Sequence, residues 1–286
     1  MSCCSGSSLY GLLGSGIRGS FSPFIHCSVF RRYSIDAVYV VWDISPFLLG
    51  AYIVGLRNLA KGFNVTIPFK EVIVGYLDGL HGEAREIGVV NTVVSRGGEL
   101  IGYNTDFLGV IECCRRFVGS GDRVLVFGAG GAARAAIYGF YRLGVSDFVV
   151  LNRSRKRAES LREWAGKIGI DIRLGGWSDV GRFAGWASVI VNATPVGSVS
   201  CCPSSSPFNV DLLHRELVVF DMVYNPLETV LLREARKRGC SIVDGLCMLI
   251  WQALYSDKVW FNVEVSKELY DHVRREVLRS VSGLAV

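Results

Sequence analysis

The side chains best suited to chemistry are a lysine, an aspartate and a set of hydroxyls and amides set into apolar stretches. Lys70 closes GFNVTIPFK (residues 62–70), where Asn64 and Thr66 alternate with apolar residues and Pro68 stiffens the chain just before the amine. So stiff a segment fixes its amine in place, and what Lys70 does there depends on which other residues can meet it in space. The plain alternative is a solvated surface lysine. Asp106 ends an Asn-Thr-Asp run in GYNTDF (102–107), and VVNTVV (89–94) sets Asn91 and a threonine among β-branched residues. Buried polar groups need partners. These could satisfy one another, but Thr66, Asn91 and Asp106 are expected to converge on a polar ligand at the carboxyl edge of a sheet. SFSP (20–23) carries Ser20 and Ser22 two residues apart, hence on one side of an extended segment. Ser22 is expected at a helix N-cap with Pro23 at N1. Two hydroxyls beside a helix N-terminus can cradle a carboxylate, but on these residues alone simple capping is the favoured reading.

A second constellation concerns phosphate. GAGGAA (128–133) follows the apolar run RVLVF and fits G-x-G-x-x-A. The first glycine serves a tight turn, the second lets backbone approach a pyrophosphate, and the small third residue lets helix pack on strand. The helix N-terminus adds free N–H groups and a positive dipole end. After the next strand, NAD-binding proteins place an acidic residue for the ribose 2′-hydroxyl. Here Asn152, Arg153, Ser154, Arg155, Lys156 and Arg157 follow instead. Such residues can bind a 2′-phosphate that a carboxylate would repel, so NADP is the expected cofactor. The alternative is a solvated basic helix start, which its own dipole opposes.

These groups must be positioned by an α/β chain. Strands are expected at residues 9–13, 38–44 and 62–68, with a hairpin from 89–94 to 100–103. Helices are expected at 23–33, 46–61 and 71–80. A second unit starts near Asp106, with a helix at 107–118, strands at 123–127, 148–151, 189–192, 218–221 and 241–243, and helices after the glycine turn and at 228–238. Strands alternating with helices imply a largely parallel sheet. Beyond residue 245 the chain reads as helical, with Val265, Leu269, Val273 and Val277 spaced as a packing stripe.

The 286 residues suit one large domain or two moderate ones, and 50% hydrophobic with 20% charged residues is an ordinary globular composition. The net charge of +5 is mild, and the basic clusters lack interleaved aromatics, so nucleic acid is not an expected partner. No run of about 18 apolar residues or signal-peptide pattern occurs, and the expected location is the cytoplasm. Of nine cysteines, six are adjacent pairs (Cys3–Cys4, Cys113–Cys114 and Cys201–Cys202) and none forms CxxC. Adjacent cysteines suit neither zinc nor a disulfide framework, so reduced thiols and no metal are expected.

Taken together, SFSPFIH, GFNVTIPFKE, EIGVVNTVV, IGYNTDFLG, VFGAGGAARA, LNRSRKRA, NATPVG, FDMVYNPLETVLL and DGLCMLIWQA make the chain, over about residues 9–260, resemble the shikimate dehydrogenase family. The resemblance implies NADPH-dependent, reversible reduction of 3-dehydroshikimate to shikimate in chorismate and aromatic amino acid biosynthesis. It implies an N-terminal α/β substrate domain (residues 1–106 with 246–286), a Rossmann-type doubly wound NADP domain (107–245), and C-terminal helices returning to the first. Lys70 and Asp106 would be the catalytic pair. Ser20 and Ser22 would hold the substrate carboxylate with Tyr224 nearby. Thr66, Lys70, Asn91, Asp106 and Gln252 would hold the ring hydroxyls. Gly128, Ala129, Gly130, Gly131 and Ala132 would hold the cofactor with residues 152–157, while Thr194, Met222, Val223 and Gly245 would line the nicotinamide side. Cys27, Ser154, Cys247 and Gly82 depart from the family's usual residues, and none touches the catalytic pair. A monomer or homodimer is expected. The alternatives are a quinate/shikimate dehydrogenase using NAD or NADP, a non-catalytic shikimate or nucleotide sensor, and a tetrahydrofolate-linked dehydrogenase of similar layout.

Overall fold

The computed structural model describes residues 6–283. They form two compact units, the first running to Thr105 and resuming at Ile250, the second comprising Asp106–Leu249. Asp106 thus opens the second unit rather than closing the first. The chain returns to the first unit within a helix, where no turn residue marks the boundary.

The first unit contains β1 (Ser8–Gly14), α1 (Ser22–Arg32), β2 (Ala37–Asp43), α2 (Leu49–Leu59), β3 (Gly62–Val65), β4 (Gly79–Leu80), α3 (Ala84–Ile87), β5 (Thr92–Arg96) and β6 (Glu99–Tyr103). Its sheet order is β2-β1-β3-β5-β6-β4. β1 lies parallel to β2 and β3, whereas β5 is antiparallel to both β3 and β6. The expected hairpin is present, and it makes this sheet mixed rather than largely parallel. Register pairs Leu12 with Asn64 and Asn64 with Thr92. With the two-residue period of a strand, these three share one face. Leu13, Phe63, Val65 and Val93 share the other, covered by Leu49, Ile53 and Leu56 of α2.

Three local expectations change. β3 ends at Val65, and residues 67–70 form turns instead of a continued strand. Residues 71–80 form a short 3-10 turn (Val72–Tyr76) and β4 instead of an α-helix. The segment VIVGY carries β-branched residues and a glycine, both poor in helix interiors. Ser22 is the first helical residue of α1 and makes no side-chain cap; Phe21 takes the cap position.

The second unit contains α4 (Asp106–Cys114), β7 (Arg123–Phe127), α5 (Gly131–Arg142), β8 (Asp147–Leu151), α6 (Arg155–Lys167), β9 (Ile172–Gly175), α7 (Val180–Ala184), β10 (Val189–Asn192), β11 (Val218–Asp221), α8 (Val230–Lys237) and β12 (Ser241–Val243). All pairs are parallel, in the order β12-β11-β10-β7-β8-β9. Winding reverses between β7 and β10, the switch point where such sheets bind ligands. Residues 124–127 and 189–191 are wholly buried and apolar, as strands covered on both faces require. β9 was not expected, because the edge strand IRLG is too short and too mixed to show a period. Helix α9 (Gly245–Phe261) carries the chain back to the first unit, where α10 (Lys267–Gly283) buries Leu269, Val273 and Val277 and packs against α1.

The cysteines depart from the expected reduced state. Cys113 and Cys247 form a disulfide between α4 and the first turn of α9, 134 residues apart. Successive residues on a helix diverge by about 100°, so one member of an adjacent pair can meet a distant partner while the other turns inward. Cys114 is that other, fully buried and free, its thiol pushed up by burial. Cys201 and Cys202 remain free, while Cys3 and Cys4 lie outside the described residues. Among the described residues no helix is long and apolar enough to cross a membrane.

Candidate active site

In the first unit, the two Asn-Thr pairs and Gln252 meet at Asn91. This residue is 2% exposed and sits just ahead of β5. Its Nδ2 donates to Thr105 Oγ1 (2.8 Å) and to Gln252 Oε1 (2.9 Å), and its Oδ1 accepts from the Thr105 backbone N–H (2.7 Å). The two Asn-Thr pairs therefore do partner each other. The residue before Asp106 is pinned by two hydrogen bonds, which fixes where Asp106 starts α4. A carboxylate in the first turn of a helix complements its dipole, and Asp106 is buried.

Lys70 is half-buried, and its carbonyl accepts from Val90 N–H (2.9 Å), so the lysine backbone is tied to the residue preceding Asn91. Thr66 is held from both sides: its N–H donates to Leu13 O (2.9 Å) and its carbonyl accepts from Phe69 N–H (2.8 Å). A Cβ at Gly14 would lie 2.6 Å from Thr66 Cγ2, so glycine there makes room for that side chain. Ser20 and Ser22 are buried, and Ser20 Oγ donates to Ser22 Oγ (3.1 Å). The two hydroxyls thus point at one spot, brought there by the helical backbone of Phe21 rather than by an extended segment.

Several participants escaped the sequence reading. Asn64 was noted only for its alternation; its Oδ1 accepts from Tyr39 Oη (2.7 Å) and its Nδ2 reaches Asn91 O (3.1 Å) and Ser256 Oγ (3.0 Å). Ser256 sits in α9 without any local signature. His26 and Asp257 form a fully buried pair, Nδ1 to Oδ1 2.8 Å, with His26 stacked on Tyr39 at 4.3 Å. Burial pushes the Asp257 carboxyl up, against the opposing pull of His26.

In the second unit, the turn after β7 accounts for its glycines. Gly128 has φ +110°, and a Cβ there would lie 2.9 Å from Ala193 O. Ala133 is fully buried where α5 meets the sheet. Ala129, Gly130, Gly131 and Ala132 stay partly exposed and carry nothing larger than a methyl, so the start of α5 is open to a phosphate group. Beyond β8, Arg153, Ser154, Arg155, Lys156 and Arg157 are exposed and Asn152 is half-buried. Ser154 caps α6 by accepting from Arg157 N–H (3.4 Å), Asn152 Nδ2 donates to Ser154 O (2.8 Å), and Arg155 pairs with Glu159 (2.9 Å). Part of this segment thus serves its own helix. The remaining cations face a helix start with no acidic residue in its first turn.

Of the four residues expected on the nicotinamide side, Val223 bonds the buried Asp221, Thr194 and Met222 bond Asn192, which itself bonds Asp221, and Gly245 packs against the Val223 backbone. Asp221 accepts from Thr229 Oγ1 (2.6 Å), Asn192 Nδ2 (2.9 Å) and Val223 N–H (3.1 Å). Asn192 Oδ1 in turn accepts from Thr194 Oγ1 (2.7 Å), and Met222 N–H donates to Asn192 O (3.0 Å). A Cβ at Gly245 would lie 2.4 Å from Val223 O, so only glycine lets this backbone pass. Burial pushes the Asp221 carboxyl up to about 6, against its three hydrogen bonds. Tyr224 follows Val223, half-buried. Among the described residues no group of three or more His, Cys, Asp or Glu could hold a metal ion.

A doubly wound parallel sheet with a glycine turn at its switch point is the architecture of dinucleotide-dependent oxidoreductases. Comparison with known proteins narrows the class. The family described as shikimate dehydrogenase substrate binding domain matches residues 12–93. A shikimate dehydrogenase (NADP(+)) of Pyrococcus abyssi is 42% identical over 272 residues, 94% of this chain and 98% of that protein. The crystal structure of shikimate dehydrogenase from Aquifex aeolicus superposes with TM-score 0.85 at 34% identity, covering 95% of this chain and 97% of that one. The shikimate 5-dehydrogenase of Thermus thermophilus, solved with NADP(H) and shikimate, gives TM-score 0.82 at 32% identity, covering 94% of this chain and 99% of that one. The chain belongs to the shikimate dehydrogenase family.

Proposed function

We propose that the protein interconverts 3-dehydroshikimate and shikimate with NADP(H), the first unit binding the substrate and the second the cofactor. The observation that carries this reading is the cluster in which Asn91 bonds Thr105 and, 161 residues away, Gln252. A rigid set of amide and hydroxyl groups beside a half-buried lysine suits a small polyhydroxylated ring. The open glycine turn and the basic segment after β8 suit NADP. Bound NADPH supplies the hydride.

The chain's own residues do the rest. Ser20 and Ser22 hold the ring carboxylate with Tyr224. Thr66, Asn91 and Gln252 hold the hydroxyls and orient the ring. Lys70 donates a proton to the ketone oxygen as that oxygen gains charge, and Asp106 orients the lysine and a ring hydroxyl. In the reverse direction Lys70 accepts the hydroxyl proton. Gly128, Gly130, Gly131 and the adjoining alanines hold the pyrophosphate, and residues 152–157 the 2′-phosphate. Thr194, Met222, Val223 and Gly245 border the nicotinamide, the first three held by hydrogen bonds to Asn192 and Asp221. We further take the protein to act in the cytoplasm as a monomer or homodimer. The sensor and tetrahydrofolate-linked alternatives gain no support.

Loss of NADPH absorbance on adding 3-dehydroshikimate tests the reading. Turnover is expected, with shikimate and NADP favoured over quinate and NAD in the reverse direction. No turnover with either acid and either nucleotide would reject it.

A further inference from the structure

Helix α9 carries three polar groups four residues apart, each meeting one of three successive residues, Asn91 just ahead of β5 and Thr92 and Val93 within it. Gln252 Oε1 accepts from Asn91 Nδ2 (2.9 Å), Ser256 Oγ lies 2.8 Å from Thr92 Oγ1, and Trp260 Nε1 donates to Val93 O (3.0 Å). Ser256 is the hub of this seam and is fully buried. Its hydroxyl donates to the Gln252 carbonyl one turn back (3.0 Å). That uses its only proton and leaves its two lone pairs to be shared among Asn64 Nδ2 (3.0 Å), Thr92 Oγ1 (2.8 Å) and Thr105 Oγ1 (3.2 Å). One hydroxyl thus joins the backbone of Gln252 to β3 and β5, on the sheet face that carries Asn91's partners.

We propose that Ser256 is a positioning residue for substrate recognition, acting through Gln252 and Asn91 without touching the substrate. This rests on the reading that Asn91 and Gln252 hold the ring hydroxyls. Apolar contacts hold a helix on a sheet but are non-directional and set its height only loosely. A glutamine side chain, with three rotatable bonds, needs a fixed base to present its amide in one place. With alanine at 256, the Asn64 amide and the Thr92 hydroxyl each lose a partner in a dry site. The Asn64 amide is left to Asn91 O (3.1 Å) and Thr92 Oγ1 (3.2 Å), and the Thr92 hydroxyl to Asn91 Oδ1 (3.2 Å) and Thr105 Oγ1 (3.3 Å), so both load the Asn91 amide that also holds Gln252.

The test is steady-state kinetics with shikimate and NADP on the wild type, Ser256→Ala, Gln252→Ala and the double variant, alongside thermal unfolding. Ser256→Ala is expected to raise KM for shikimate about tenfold and leave KM for NADP within about twofold. Added to Gln252→Ala, it should change KM for shikimate less than about twofold, since residues acting through one another are non-additive. An unchanged shikimate KM in Ser256→Ala, or independent effects in the double variant, would overturn the proposal and leave Ser256 a packing residue. Should Ser256→Ala not fold, Ser256→Cys replaces it, with a smaller rise and the same non-additivity expected. A wild type that does not oxidise shikimate defeats the functional reading itself, and this inference with it. An active wild type with a normal Ser256→Ala defeats only the inference.

Discussion

The two units solve recognition by different means. The first buries hydroxyls and amides on its sheet and helices, among them Ser20, Ser22, Asn64, Asn91, Thr92, Thr105, Gln252 and Ser256. In the second, the buried polar residues are Asp106, Asn192, Asp221 and Thr229, and the buried positions of its strands are otherwise apolar. A small hydroxylated ring has to be read by side chains, each of which needs its own partners in a dry site. A pyrophosphate can be read by backbone N–H groups at a glycine turn, which leaves the core free to pack as hydrocarbon. On the proposed function, substrate recognition in the first unit therefore depends on a hydrogen-bonded network, and pyrophosphate binding in the second on the shape of a turn.

The sharpest break in this comparison is Lys70→Ala. Removing a proton donor from the unit that handles the substrate should lower turnover about 10³-fold. Binding of shikimate and of NADP should stay measurable by calorimetry; wild-type-like rates would sink the assigned role. Next is the cross-link confined to the second unit. Cys113→Ala, or reduction of the wild type, opens a loop whose ends are 134 residues apart. The loss of stability should be about 4 kcal/mol, read as a lower unfolding midpoint in reductant. A midpoint indifferent to reductant would mean that the second unit does not depend on its cross-link.

The smallest effect concerns the buried carboxylate that ties Asn192, Val223 and Thr229 together. The Asp221 carboxyl is pushed up from 3.8 to about 6 in the folded protein. The native state therefore binds its proton more tightly than the unfolded chain does. Asp221 thus favours folding most below about pH 4, loses this as pH rises to about 6, and adds no further slope above. Some two pKa units correspond to ~3 kcal/mol. In denaturant titrations at pH 4 and 6.5, Asp221→Asn should show a change in stability between the two pH values that differs from the wild type's by about that amount. Equal slopes would remove Asp221 as the source.

Much of this was legible in the chain itself. The strand–glycine–helix unit at 123–142, the hairpin of β5 and β6 and the stripe buried by α10 follow from patterns that repeat within a few residues, where φ preferences and side-chain period act directly. The family resemblance was legible for the same reason, carried by short runs such as GFNVTIPFK and GAGGAA. Expectations failed where a local pattern was ambiguous. VIVGY has the apolar density of a helix but the branching of an extended chain, and the helical Phe21 ahead of Ser22 displaced the expected cap.

Tertiary structure alone decided which distant residues meet. Nothing near Gln252 indicates that its amide faces Asn91, nothing around Ser256 marks it as a hub, and no local pattern requires glycine at 245 until the backbone of Val223 is laid across it. The same holds for Cys113, whose partner lies on a helix beyond the whole second sheet. Local preferences are set by the few covalent neighbours of a residue and are written in order along the chain. A hydrogen bond or disulfide across more than a hundred residues depends on the height and rotation of packed helices, which the sum of many non-directional contacts sets and no short stretch encodes.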